Sequence, residues 1–316
     1  MTPHPIPSRE RFTGCLLGSA LGDAIGEMAF RSPVQHELRE RLLFADLLRY
    51  TDDTAMALGI AEAILDGEGR LDPEHLGDIF SRHFFEEPWR GYGPGPPSIF
   101  HSVEDEDVGY REVAGRMFDG EGSMGNGSAM RIAPLGVFYS GCEDAYEMAA
   151  LSASVTHAHP LGRDGAGVLA LAVGRAAGMD PDDDFSGPEF ARWLAEQARS
   201  DEFRSAMNCT ADLLEDGADR EEAADTLGTD VLIHRSVPYA IFSFLKNPHS
   251  WEQCLMDAIL VPGDRDTIGA MAAGISGAYL GEDALPDNWL DSLENREEIR
   301  DLAEKLHELR TRIARA

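Results

Sequence analysis

The chain has 316 residues, of which 43% are hydrophobic and 27% charged, the proportions of a folded protein able to bury a substantial core. Its 27 basic residues face 57 acidic ones, a formal net charge of −30. Such a surface repels nucleic acid and anionic membranes, so direct nucleic-acid binding is set aside. Lys246 and Lys305 are its only lysines, a balance that suits a salt-adapted or a high-GC source without choosing between them.

In chain order, the first apolar stretch is FTGCLLGSALGDA (residues 12–24), which superficially looks like a secretory or lipid-attachment signal. Arg9, Glu10 and Arg11 stand where the apolar run before such a cysteine should be, and Asp23 interrupts the apolar residues behind it. No run reaches the roughly 20 apolar residues of a membrane span. The four cysteines, Cys15, Cys142, Cys209 and Cys254, are scattered, form no CxxC pair, and read as small core residues in a reducing cytoplasm.

Residues 49–65, RYTDDTAMALGIAEAIL, begin a helix whose Ala57, Ile60, Ala61, Ile64 and Leu65 follow the spacing of a buried face, and DGEG then stops it. RGYGPGPPSIF (90–100) and FDGEGSMGNGSAM (118–130) read as irregular loops because of their Gly, Pro and Ser content. MAALSASV, GAGVLALAVGRAAG and EFARWLAEQA are Ala/Leu-rich helices, and the acidic MDPDDDFSGPE is a solvated connector. The tail closes on a charged helix carrying Ile299, Leu302, Leu306, Leu309 and Ile313 at steps of three and four. Period-two strands are missing. The expectation is one compact all-α domain over residues 1–316, an orthogonal helical bundle with a metal cleft, cytoplasmic and monomeric.

Two acidic clusters carry the chemistry. TDDT sets Asp52 and Asp53 between Thr51 and Thr54 at a helix mouth, where threonine caps and first-turn acids are favoured for purely structural reasons. GDRDT places Asp264, Asp266 and Thr267 before a second helix, whose Gly269, Ala273 and Gly277 recur every four residues. Small faces let helix backbones approach closely, so the two mouths could be held together. Four carboxylates and two hydroxyls would then form the hard oxygen site that Mg²⁺ or Mn²⁺ prefers, with room for two ions. Two independent caps are the competing reading.

GEGSMGNGSAMR (120–131) has the composition of a phosphate cradle, with Ser123, Asn126 and Ser128 as extra donors, but it is neither a Walker A nor a dinucleotide fingerprint. THAHP places His157 and His159 two apart, which is not the spacing of a helical zinc pair.

Taken together, RFTGCLLGSALGDAIG, YTDDTAMA, RGYGPG, GSMGNGSAMRIAPLG, SVTHAHPLG, SVPYAIFSFL and GDRDTIGAMAAGISGAYLG resemble the ADP-ribosyl-acceptor hydrolases across nearly the whole chain. RGYGPG, GSMGNG and SVPYAI look most like the branch that removes ADP-ribose from serine and other O-linked acceptors. The resemblance implies an enzyme with a binuclear Mg²⁺ site ligated by Thr51, Asp52, Asp53, Asp264, Asp266 and Thr267, Mn²⁺ being possible in its place. It implies that Asp52, Asp53 and Asp266 also serve catalysis. Phe118, Gly122, Ser123, Met124, Gly125 and Asn126 would line the diphosphate and ribose path, His157 would contact the distal ribose or a phosphate, and adenine would lie near Val237, Pro238 and Tyr239. The partners implied are ADP-ribose and ADP-ribosylated proteins or small molecules.

The chain departs from that family in two places. Phe30 stands about where the family carries a catalytic glutamate, leaving Glu27 as the nearest acid, and Arg265 replaces a small residue between the two aspartates. The alternatives to hydrolysis are therefore an ADP-ribose reader without turnover, or one of altered specificity, and a Mg²⁺ phosphohydrolase.

Overall fold

Helices take up nearly all of the chain in the computed structural model, which describes residues 6–106 and 108–315. In order they are α1 (Arg9–Arg31), α2 (Gln35–Leu43), α3 (Asp52–Asp66), α4 (Pro73–Glu86), α5 (Gly95–Glu106) and α6 (Tyr110–Arg116). Then come α7 (Gly127–Met130), α8 (Ala133–Phe138), α9 (Ala145–Ala153), α10 (Pro160–Ala177), α11 (Gly187–Gln197) and α12 (Asp201–Asp216). The chain ends through α13 (Arg220–Leu227), α14 (Ile233–Lys246), α15 (Trp251–Ile259), α16 (Arg265–Leu280), α17 (Asp287–Ser292) and α18 (Arg296–Arg315). Among the described residues there is no strand, only the isolated bridges Leu48–Leu293 and Gly125–Leu232. No described helix is long and apolar enough to cross a membrane.

The centre is the antiparallel pair α1 and α16. The small stripe of α16 meets a matching one on α1: a Cβ on Gly22 would lie 2.2 Å from the Gly269 carbonyl oxygen, and one on Gly277 would lie 2.0 Å from that of Gly14. Gly18 faces Ala273, and Gly26 faces the backbone of Arg265 and Asp266. Each turn of α1 is thus in register with one turn of α16, and neither helix can take a side chain at these contacts without being pushed away. The end of the register matters most, because it seats the last turn of α1 against the first turn of α16. Around this pair a continuous apolar core runs from Phe12 to Leu309.

The all-α expectation holds, and the local exceptions have simple causes. The RGYGPGPPSIF stretch is irregular only as far as Pro94, and α5 then starts at Gly95 with Pro96 and Pro97 in its first turn. Proline is tolerated there because first-turn N–H groups have no intrahelical partner and its φ is already helical. The FDGEGSMGNGSAM stretch stays irregular through Asn126 except for a 3₁₀ turn at Phe118–Gly120, then enters the one-turn α7. In the tail helix Ile299, Leu306 and Leu309 are buried, whereas Ile313 is exposed as the helix leaves the core. Cys15 and Cys254 are core residues as expected, while Cys142 and Cys209 are only half-buried, and all four are free thiols.

Candidate active site

Three helices meet at one point: the C-terminal part of α1 around Asp23 and Gly26 and the first turns of α3 and α16. Asp23 joins the first two. Its fully buried carboxylate accepts from the Thr51 amide (3.0 Å) and hydroxyl (2.8 Å) and from the Thr54 amide (3.1 Å) and hydroxyl (2.6 Å). A residue from another helix therefore caps α3 from outside, which holds Asp52 and Asp53 in place. On the other side Arg90 fixes the approach to α3. Its guanidinium donates to the Tyr50 carbonyl (3.0 Å) and to Glu294 (2.6 Å), and its carbonyl accepts from the Asp52 amide (2.9 Å).

The second cluster is not a cap. Asp264 occupies the N-cap position of α16, yet its carboxylate makes no capping bond and instead accepts from the Asn126 side-chain amide (2.6 Å). Its own amide donates to the Thr229 carbonyl (2.8 Å). Gly263 makes that approach possible, because φ is 140° and a Cβ would sit 2.3 Å from the Thr229 oxygen. Thr51 does cap α3, accepting from the Asp53 amide at a long 3.4 Å. Capping thus explains one threonine and leaves the acids unexplained.

The electrostatics show that the clusters converge. Burial, then the charges of Asp23, Asp266, Asp52 and Asp264, hold Asp53 well above the ordinary carboxylate range. Burial and then the Asp23 and Asp264 charges push Asp52 up to about 7. Burial, followed by the charge of Asp264, pushes Asp266 up to about 8. Asp23 is raised by burial to about 6, its four donors offsetting part of the rise. Three acids raised by burial and by neighbouring carboxylates, Asp52, Asp53 and Asp266, call for either protons or a cation.

Protein donors satisfy only part of this demand. Asp53 Oδ2 faces the Thr51 hydroxyl (3.1 Å), but Asp53 Oδ1 is buried and, among the described residues, has no hydrogen-bond partner. Asp266 Oδ1 accepts from the Thr267 amide (2.9 Å). Among the described residues, no three His, Cys, Asp or Glu side chains close on a common point as a finished ligand cage. The geometry brings Thr51, Asp52, Asp53, Asp264, Asp266 and Thr267 to one mouth without completing a coordination sphere.

Glu27 lies toward the C-terminal end of α1, one helical turn beyond Asp23 and therefore on the same face, half-buried. Among the described residues no protein donor engages its carboxylate. Phe30, 46% exposed, points outward and takes no part in the core. Arg265 is buried, but its guanidinium donates to the Ile259 carbonyl and so serves the C-terminal end of α15 rather than meeting the aspartates.

The glycine segment forms the opposite wall. The Asn126 amide donates to the Val231 carbonyl (2.9 Å) and the Ile233 amide to the Met124 carbonyl (3.0 Å), which pins the loop to the start of α14. Gly125 donates to the Ser123 hydroxyl (3.1 Å). His157 packs beneath the loop: a Cβ on Gly127 would lie 3.1 Å from its Nε2, and one on Gly125 would lie 3.4 Å away. Gly122, at φ 79°, leaves room for the His159 backbone. Phe118 is 61% exposed at φ 53°, an aromatic held at the rim in a conformation that side chains rarely adopt. Asn126 bridges the two walls, reaching Ser236 (3.2 Å) as well as Asp264.

Other expectations are corrected. Ser128 is fully buried and donates to the Gly162 carbonyl (2.7 Å), so it is no loop donor. His159 caps α10 by accepting from the Leu161 amide (3.1 Å). Val237, Pro238 and Tyr239 lie inside α14 within the core, the Tyr239 hydroxyl donating to the Asp257 carbonyl (2.8 Å), and cannot form a groove for adenine. Sequence reasoning missed Asp23, Tyr92, whose buried hydroxyl lies unpartnered near Asp52, and Arg131. Asp23 carries a visible signal, since it is the one acid inside the long apolar run of α1.

With this geometry established, comparison with known proteins places the chain. Residues 4–315 match the model of the ADP-ribosylglycohydrolase family. ADP-ribosylhydrolase ARH3 of Homo sapiens is 34% identical over 347 residues, covering 95% of this chain and 93% of its own. An uncharacterised protein of Escherichia coli, YegU, is 30% identical over 87% of this chain and 89% of its own. A solved structure described as an ADP-ribosylglycohydrolase-related protein complex superposes with a TM-score of 0.69 at 25% identity, covering 95% of this chain and 98% of that one. The chain belongs to the ADP-ribosylglycohydrolase family and is a hydrolase of the glycosidic bond to ADP-ribose.

Proposed function

We propose that the protein is a Mg²⁺-dependent hydrolase that releases ADP-ribose from O-linked acceptors such as serine. One observation carries the metal: the buried Asp23, Asp52 and Asp53 and the half-buried Asp264 and Asp266 converge at the mouth, and among the described residues they have no cationic side chain as a hydrogen-bond partner and Asp53 Oδ1 has no partner at all. Thr51, Asp52, Asp53, Asp264, Asp266 and Thr267 supply only hard oxygen donors, which fit Mg²⁺ or Mn²⁺ and disfavour softer ions. Two such ions would supply charge neutralisation for these carboxylates and Lewis-acid polarisation of ribose hydroxyls or water.

The chain's own groups do the rest. Asp52, Asp53 and Asp266 present negative charge to the positive charge that develops on the ribose ring as the bond at its anomeric carbon breaks. Glu27, unengaged and on the Asp23 face of α1, is the proposed proton carrier for the leaving oxygen. Phe118, Gly122, Ser123, Met124, Gly125 and Asn126 line the path of the diphosphate and ribose. The O-linked preference rests on RGYGPG, GSMGNG and SVPYAI, and on the similarity to ADP-ribosylhydrolase ARH3.

The test is direct. Incubation with serine-linked and arginine-linked ADP-ribose, with Mg²⁺ or with chelator, is expected to release ADP-ribose from the serine substrate only when Mg²⁺ is present. Equal release in chelator removes the metal, and release from arginine alone removes the acceptor assignment. Binding of ADP-ribose with no turnover on either substrate favours the reader, which Phe30 at the usual glutamate position would explain.

A further inference from the structure

Arg131 is fully buried, yet among the described residues no carboxylate pairs with it. Its guanidinium lies 4.5 Å from the Phe80 ring centroid, with Nη1 3.7 Å from Met56 Sδ. Nη2 donates to the Ser152 carbonyl (3.4 Å) and the Thr156 hydroxyl (2.8 Å), while Nε has no partner. A buried guanidinium is expensive to desolvate, and the usual remedy is an ion pair. Arg90 follows that rule, bonding Glu87 and Glu294. The absence of an ion pair at Arg131 points to a use for its one strong hydrogen bond.

That bond fixes the direction of a chain of protons. Arginine can only donate, so the Thr156 oxygen must accept from Arg131. The Thr156 hydroxyl proton is then free for its other neighbour, His157 Nδ1, 2.7 Å away. Nδ1 therefore accepts, and the proton of the neutral imidazole resides on Nε2. In the opposite tautomer Nδ1 would also donate to Thr156, leaving the hydroxyl proton buried without an acceptor, an arrangement that is penalised. Nε2 is the atom that faces Gly125 and Gly127. Burial, reinforced by the Arg131 charge, lowers the His157 pKa to about 3, so the ring stays neutral.

We propose that Arg131 is a positioning residue that acts through Thr156 to lock His157 in its Nε2–H tautomer, aiming one neutral donor into the glycine loop at an oxygen of bound ADP-ribose. A neutral donor suits this place. It orients a ribose hydroxyl or phosphate oxygen without adding a cation that would repel those held by the neighbouring aspartates. The inference rests, for its ligand, on the reading that this loop receives ADP-ribose; the proton arrangement itself does not.

Histidine-¹⁵N-labelled full-length protein separates the two. Two-bond ¹H–¹⁵N spectra between about pH 5.5 and 8.5 should show His157 neutral, with its proton on Nε2 throughout. Thr156→Val removes the hydroxyl at constant shape; it should yield a tautomer mixture and weaken ADP-ribose binding by calorimetry about tenfold. Thr156→Ser keeps the hydroxyl and should restore both readings to within about twofold. Arg131→Met should mimic Thr156→Val if it folds, and if it does not, the Thr156 pair decides. A His157 proton on Nδ1 in the unaltered protein, or an unchanged tautomer in Thr156→Val, overturns the proposal. If the unaltered protein binds no ADP-ribose, the ligand reading fails while the tautomer result still judges the relay.

Discussion

Two buried aspartate sites in this molecule show opposite solutions to the same physical problem. Asp164, on α10, is almost fully buried and accepts from the Tyr146 hydroxyl (2.6 Å), the Arg199 amide (3.2 Å), the Ser200 amide (2.7 Å) and the Ser200 hydroxyl. Four donors meet its two oxygens, the nearby Glu147 is paired with Arg199, and it fastens the start of α12 to α10. At the mouth of α3 and α16, Asp52 and Asp53 are buried too, but Asp53 is crowded by the charges of Asp23, Asp52, Asp264 and Asp266, and among the described residues its Oδ1 faces no donor. A carboxylate whose donors are complete serves structure; a group of carboxylates short of donors favours protons or a bound cation, as proposed for this mouth.

The sharpest way to break this contrast is to remove one acid from each site. Asp266→Ala, or Asp52→Ala, should lower turnover by about 10³-fold or more, in keeping with the loss of a group that meets developing charge. Because it relieves repulsion, the same change should leave the metal-free melting temperature unchanged or raise it. Retained turnover, or a collapse in melting temperature, would mean that the mouth is built like Asp164. Glu27→Gln ranks next, with a loss of about 10²–10⁴-fold in turnover and little change in ADP-ribose affinity. Turnover at the level of the unaltered protein would remove Glu27 from the reaction.

Asp164→Ala should instead cost about 3 kcal/mol, since it strands donors that have no other partner. Urea denaturation would measure it, and a cost below about 1 kcal/mol would show that the network is dispensable.

A smaller effect comes from pH. In the folded chain Asp52 and Asp266 are raised to about 7 and about 8, above the ordinary value of 3.8. Between these limits the native state holds more protons than the unfolded state. Stability in chelator should therefore be greatest near pH 4 as far as these groups decide it, and should fall as pH rises to about 8. Mg²⁺ should recover the loss at pH 8 and do little at pH 5, where protons already occupy the site. Thermal melts at the two pH values, with and without Mg²⁺, would reveal the crossover. Identical Mg²⁺ shifts at both would disprove it.

The smallest expected change is at Arg265. Its guanidinium serves the Ile259 carbonyl, so Arg265→Gln should alter Mg²⁺ affinity by less than about threefold in calorimetry. A larger gain in affinity would show that its charge does reach the metal site.

Local chemistry made most of the architecture legible. The 3.6-residue spacing of apolar positions identified α3 and α18, the Gly and Pro content marked the loops, and the every-fourth small residues of Gly269, Ala273 and Gly277 announced a close helix contact. The acidic strings were legible as well, but only as alternatives, because TDDT and GDRDT have the composition of good caps and of good ligands alike. Tertiary structure adds what the string lacks and supports the ligand reading proposed above. It sets Gly22 against Gly269 and Gly26 against Asp266, which brings α1 and α16 together beside the Asp23-capped start of α3, and turns Asp264 toward Asn126 instead of its own helix. Asp23 and Arg131 could not be assigned from the string, since the value of a buried charge depends on which partners the fold brings within hydrogen-bond reach. A sequence states which groups can ionise; the packing around them determines which are satisfied and which are left to bind.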